Sequence, residues 1–179
     1  MEELPDDITP PELARRAVER FIGAAIRIAP PAHPQGILAE HAGTFVTLRT
    51  DDGNLRGCIG TIQPVKPTVA EEIIHNAISA ATRDPRFLPV TPGELQRLTY
   101  GVDVLARPEP ASGIADLDPS RYGVIIETFD GRHRGLLLPR IPGIDTVEEQ
   151  WLAVHLKAGI GLGTPVRVER FSVTRFGKD

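Results

Sequence analysis

The chain has 179 residues, 41% of them hydrophobic and 25% charged, which suffices for one domain, or one domain with a small annex, to bury a real core. A net charge of −4 speaks against a general nucleic-acid binder, because phosphate binding needs clustered Lys and Arg. One cysteine excludes an internal disulfide, and no apolar stretch approaches the roughly 18 residues of a membrane span.

The N-terminal "MEELPDDITPPE" is acidic and lacks an apolar run, so it predicts neither a signal nor a transit peptide, and the expected location is the cytoplasm. Residues 9–29 read as an amphipathic helix: Leu13, Ala14, Ala17, Val18, Phe21, Ile22, Ala25 and Ile26 recur at helical spacing, and Pro30 and Pro31 stop the run. Residues 32–43 are expected to form a loop or short connection. "TFVTLRT", the turn "DDGN" and "LRGCIGTI" then predict a hairpin, since glycine tolerates the positive φ of a tight turn. A helix is predicted over about 68–83, a shorter one over 92–97, and a strand at "LTYGVDVLA". After a Pro- and Asp-rich loop come a second Asp-Gly hairpin ("YGVIIETF", "RGLLL"), a helix over roughly 146–158, and a last strand, "TPVRVERFSVTRF". The apolar phase of that strand breaks near Arg170, which suggests a bulge. "GIGLG" at 159–163 follows a helix instead of preceding one, so it reads as a helix C-terminal turn, not a phosphate cradle.

Each predicted helix opens on T-x-x-E: Thr9/Glu12, Thr68/Glu71, Thr91/Glu94 and Thr146/Glu149. The Thr hydroxyl can accept from the backbone N–H three residues on while the Glu reaches back, so these four glutamates are expected to be caps.

Sliding the sequence on itself by 78 residues matches Thr50, Asp52, Gly53, Arg56, Gly57, Pro64, Thr68, Val69 and Glu71 with Thr128, Asp130, Gly131, Arg134, Gly135, Pro142, Thr146, Val147 and Glu149. Nine identities fall within 22 ungapped positions, where background frequencies give roughly one or two. The expectation is an α+β fold of mostly antiparallel sheet with helices packed on it. It is read as an internal duplication with pseudo-repeats over about 44–106 and 122–176 inside a single domain of 1–179. Residues common to both halves are expected to serve the fold, and those unique to one half are where function can be grafted. Cys58 and Gly60 are unique; their counterparts are Leu136 and Leu138.

Strand alternation places Arg56, Cys58 and Gly60 on one face. A cation beside a thiol favours thiolate, so Cys58 is a candidate nucleophile, but packing as a small buried hydrophobe is the stronger reading. Arg56, Gly60, Asp84 and Arg86 are candidate ligand-binding residues, the last two from "RDPRF" at the end of the following helix. The five histidines are scattered without metal-ligand spacing and read as surface or satisfied polar residues, and Asp103 is expected to face water from its strand. Neither G-x-G-x-x-G nor a Walker A loop is present, and nothing implies a metal or cofactor.

"LRGCIG" at 55–60, "DPRF" at 84–87, "GLLLP" at 135–139 and "KAGI" at 157–160 together resemble the AMMECR-one domain family, which includes AmmeMemoRadiSam system protein A of bacteria and archaea. The resemblance runs over about residues 10–176. It implies an internally duplicated α+β fold and a soluble protein with no established activity, linked to Memo-like and radical-SAM proteins. Where related sequences often carry "RFPP", this chain has "RFLPV", and His155 stands near a position where they often carry cysteine. The function expected from these readings is a soluble accessory module that binds a ligand or partner, neither nucleic acid nor membrane. The alternative is a thiol-dependent enzyme using Cys58.

Overall fold

A computed structural model describes residues 4–177; the first three residues of the acidic N-terminal stretch and the last two of the chain lie outside the described residues. The fold is α+β, as expected, and the chain divides into two compact units, one formed by the residues up to Val104 with those from Thr174 on, the other by Leu105–Val173.

In the first unit, helix α1 (Pro10–Ala24) and helix α2 (Val69–Thr82) pack on a four-stranded sheet. Its strands are β1 (Thr44–Thr50), β2 (Leu55–Gly60), β3 (Leu98–Leu105) and β8 (Val173–Phe176), in the order β2-β1-β3-β8. Period-two alternation turns Val46, Leu48, Tyr100, Val102 and Val104 toward the helices, where they meet Leu13, Ala17 and Val18 of α1 and Ile73, Ala77 and Ile78 of α2 in one core. The opposite face carries Phe45, Thr47, Arg56, Cys58, Gly60 and Asp103, the arrangement in which the site is found.

In the second unit, β4 (Glu109–Pro110), β5 (Gly123–Thr128), β6 (Arg134–Leu137) and β7 (Val166–Phe171) form an antiparallel sheet in the order β4-β7-β5-β6. Helix α3 (Val147–Ala158) packs on it, and Val154 joins Val124, Ile126, Leu137 and Ile160 in the core. The units share local devices at the spacing of 78 seen in the sequence. Gly53 and Gly131 hold φ of +85° and +70° at the hairpin turns. The Thr50 and Thr128 hydroxyls donate to Asp52 and Asp130. Gly57 lies against Ala80 of α2, as Gly135 lies against Ala158 of α3. Any Cβ at Gly57 would overlap the Ala80 carbonyl oxygen, so the close helix–strand approach requires glycine there.

Several expectations are corrected. α1 ends at Ala24 instead of reaching residue 29, because Ala25 takes φ +56° and the N–H groups of Ala25 and Ile26 close back onto Phe21 and Arg20. This left-handed ending lets Ile28 pack on the core. Thr9 makes no side-chain cap, and Glu12 instead bonds Arg15 and Arg16. The capping boxes at Thr68/Glu71 and Thr146/Glu149 form as expected. The first hairpin turns through 51–54, as expected, with the Gly53 N–H on the Thr50 carbonyl. The phase break in the last strand is no bulge. The chain leaves one sheet at Phe171 and joins the other at Val173, which restarts the alternation. Asp103 does not face water: it is 7% exposed and receives two bonds from Arg175, 2.7 and 3.1 Å. His155 is buried as well, with Nδ1 2.9 Å from the Trp151 carbonyl oxygen.

Candidate functional site

Strand β2 is an edge of its sheet, so half of its backbone polar groups have no neighbouring strand. The pairing of Leu48 with Gly57 and of Arg49 with Leu55 leaves Arg56 as an extra residue, a bulge that re-aims its side chain. Arg56 reaches Glu94 in the 3-10 turn Pro92–Arg97, with Nε 2.7 Å from Oε1 and the second nitrogen 3.3 Å from Oε2. These bonds hold the Glu94 carboxyl at about 2, below its ordinary value. Glu94 also accepts from the Thr91 N–H and hydroxyl, both 2.8 Å. It therefore caps its turn, as expected, and fixes Arg56 as well, which the sequence reading missed.

Two residues past Arg56, the N–H of Cys58 points away from the sheet and donates to Asp84 Oδ2 at 2.9 Å. Arg86 grips the same carboxylate through Nε at 2.9 Å, a terminal nitrogen at 2.7 Å and its own N–H at 3.1 Å, and also reaches the Cys58 carbonyl at 3.4 Å. Asp84 is 4% exposed. The Arg86 guanidinium holds its carboxyl far below the usual carboxylate range against the opposing effect of burial. The "DPRF" loop thus supplies side-chain acceptor and donor where a neighbouring strand would have been, and so protects the edge at Cys58. Phe87 lies between the two arginines, its ring centroid 5.8 Å from the Arg56 and 5.6 Å from the Arg86 guanidinium carbon.

Cys58 itself is half-buried, and among the described residues its sulfur is bonded to the Thr47 hydroxyl at 3.3 Å. Thr47 is its cross-strand partner. Counting back from the turn would pair Cys58 with Val46; the bulge at Arg56 shifts the register by one residue. Gly60 faces Phe45 across the same pair of strands, and a Cβ at Gly60 would collide with that ring. The place a side chain at residue 60 would take beside Cys58 is thus held by the Phe45 ring.

The five candidate residues therefore gather at one strand edge: Arg56, Cys58 and Gly60 from β2, Asp84 and Arg86 from the loop after α2. Beyond them, the loop exposes Leu88 at 84%, between the buried anchors Asp84 and Val90. The Val90 N–H is bonded to the Ala81 carbonyl at 2.8 Å. Leu88 carries no chemistry that a sequence search for reactive residues would flag. Among the described residues, no group of three or more His, Cys, Asp or Glu side chains is gathered for a metal ion, and no helix is long and apolar enough to cross a membrane.

The AMMECR1 family model matches residues 11–177. A Thermotoga maritima protein is 49% identical over 165 residues, covering 91% of this chain and 94% of that one. A Clostridium acetobutylicum protein is 44% identical over 166 residues, 92% of this chain but 35% of its own length. The crystal structure of an uncharacterized protein from Pyrococcus horikoshii superposes with a TM-score of 0.84 at 34% identity, covering 95% of this chain and 90% of that one. The chain thus shares its overall α+β fold with the Pyrococcus protein and belongs to the AMMECR1 family.

Proposed function

We propose that the chain is a non-catalytic recognition module that holds a partner protein against the protected edge of β2. The partners are the Memo-like and radical-SAM proteins of a cytoplasmic AmmeMemoRadiSam-type system. The observation that carries this reading is the Leu88 loop. A leucine 84% exposed, flanked by Arg86 and Phe87 and fixed at both ends by Asp84 and Val90, costs little entropy to dock. Arg86 and Phe87 beside it are residue types enriched at protein interfaces. The charged groups around Cys58 support the same reading, because Glu94 and Asp84 are engaged by Arg56 and Arg86, and among the described residues the sulfur is bonded to a hydroxyl, not to a base. The Clostridium relative adds that the matching region makes up about a third of a longer polypeptide.

Surface plasmon resonance with the purified Memo-like and radical-SAM proteins of the same genome tests the proposal. Wild-type chain binds at least one of them saturably, and Leu88→Asp weakens that binding at least about tenfold. Absence of binding to both proteins, or binding indifferent to Leu88→Asp, overturns it. Fractionation of the source cells checks the location, with the chain expected in the cytoplasm.

A further inference from the structure

The second unit contains a cleft that owes nothing to the β2 edge. It has a volume of about 280 Å³ and is lined by Pro119, Ser120, Arg140, Ile141, Ile144 and Asp145. That volume lies near the lower end for small-molecule sites and suits a ligand of amino-acid size. Ile141 and Ile144 pack against the core of the unit with part of their surface left over, so the cleft has fixed apolar walls.

Arg140 is the informative residue. It takes φ +58°, a left-handed conformation that L-residues with a Cβ adopt at a cost and glycine adopts freely. Two bonds impose it: the Arg140 N–H on the Pro119 carbonyl at 2.8 Å and Nε on the Ser120 carbonyl at 3.1 Å. Both terminal guanidinium nitrogens are left without a hydrogen-bond or ion-pair partner among the described residues. The Asp145 carboxylate is likewise unpartnered among them, since it is the main-chain N–H of Asp145 that bonds Glu149. Arg140 and Asp145 line one cleft with opposite charge and do not pair with each other. A ligand bearing both charges satisfies both.

We propose that this cleft binds a free α-amino acid with a branched aliphatic side chain. Arg140 receives the carboxylate through its two terminal nitrogens, Asp145 the ammonium, and Ile141 and Ile144 the side chain. The left-handed backbone at Arg140 holds the guanidinium at the cleft in advance of binding.

Isothermal titration with L-leucine and L-isoleucine tests this. At least one binds saturably. 4-Methylpentanoate, which lacks the ammonium, and 3-methylbutylamine, which lacks the carboxylate, each bind at least about tenfold more weakly than L-leucine. Arg140→Gly abolishes binding or weakens it at least about tenfold, yet melts no lower than wild type, because glycine accepts the left-handed conformation. Asp145→Asn, which keeps the main-chain bond to Glu149, weakens the amino acid but leaves 4-methylpentanoate unchanged. Failure of both amino acids to bind, or binding that survives Arg140→Gly unaltered, overturns the proposal.

Discussion

Replacing Asp84 by alanine removes the acceptor for the Cys58 N–H and all three bonds from Arg86. The Arg86 side chain is 55% exposed, so solvent screens the ion pair and its own share is about 1 kcal/mol at most. The larger share is the N–H at a strand edge deprived of a buried acceptor, which costs about 1–3 kcal/mol. The expected loss is therefore about 2–3 kcal/mol, read as a lower midpoint in urea with an unchanged slope. Amide exchange at Cys58 should accelerate in the same variant. The pH dependence has a definite sign. The carboxyl of Asp84 titrates lower in the folded than in the unfolded chain. Its contribution is complete above the unfolded value of about 4 and is lost as pH falls below that toward the folded value. The gap between wild type and Asp84→Ala should be constant from about pH 7 to pH 5 and narrow only in stronger acid. A loss under about 0.5 kcal/mol with unaltered exchange at Cys58 would refute the edge clamp.

Gly57→Ala and Gly135→Ala each press a methyl group onto the covering helix. Both should destabilise by about 1–3 kcal/mol in thermal or chemical unfolding, and a neutral Gly57→Ala would show that α2 does not hold its close approach. Glu94→Ala frees Arg56 and uncaps the 3-10 turn; about 1 kcal/mol of stability should go, and the difference from wild type should shrink as pH falls from about 4 toward 2, because the folded carboxyl is lowered. The Tyr100 hydroxyl is buried without a partner among the described residues, and burial pushes its pKa up. Tyr100→Phe should leave the midpoint unchanged or raise it, and a loss above about 1 kcal/mol would reveal a bond to that hydroxyl.

Local grammar made much of the fold legible. α2 and α3 begin where Thr68 and Thr146 find a glutamate three residues on, and each hairpin turns at its Asp-Gly pair, because these signals need only neighbours in sequence. What was not legible depends on residues far apart. Glu94 reads as a cap from its own neighbourhood, and only folding brings Arg56, 38 residues away, onto it. Asp103 reads as a solvent-facing strand residue until Arg175, 72 residues on, covers it. Ser172, between β7 and β8, carries no turn signal that would separate two strands of different sheets. At the candidate site the motif located the right strand edge and the right loop, and folding then changed what its members do. Gly60 accommodates Phe45, Asp84 and Arg86 close the edge, and the loop they anchor presents a leucine that no search for reactive side chains would select.

On the proposed reading, the β2 edge presents a docking surface and Cys58 takes no part in a reaction. The most direct measurement is the affinity of the Memo-like and radical-SAM proteins for wild type, Leu88→Asp and Cys58→Ser, taken side by side. Cys58→Ser keeps a hydroxyl that can pair with Thr47, and it should bind as wild type does. Leu88→Asp should bind at least about tenfold more weakly. The reverse pattern, in which Cys58→Ser loses binding and Leu88→Asp retains it, would contradict the account.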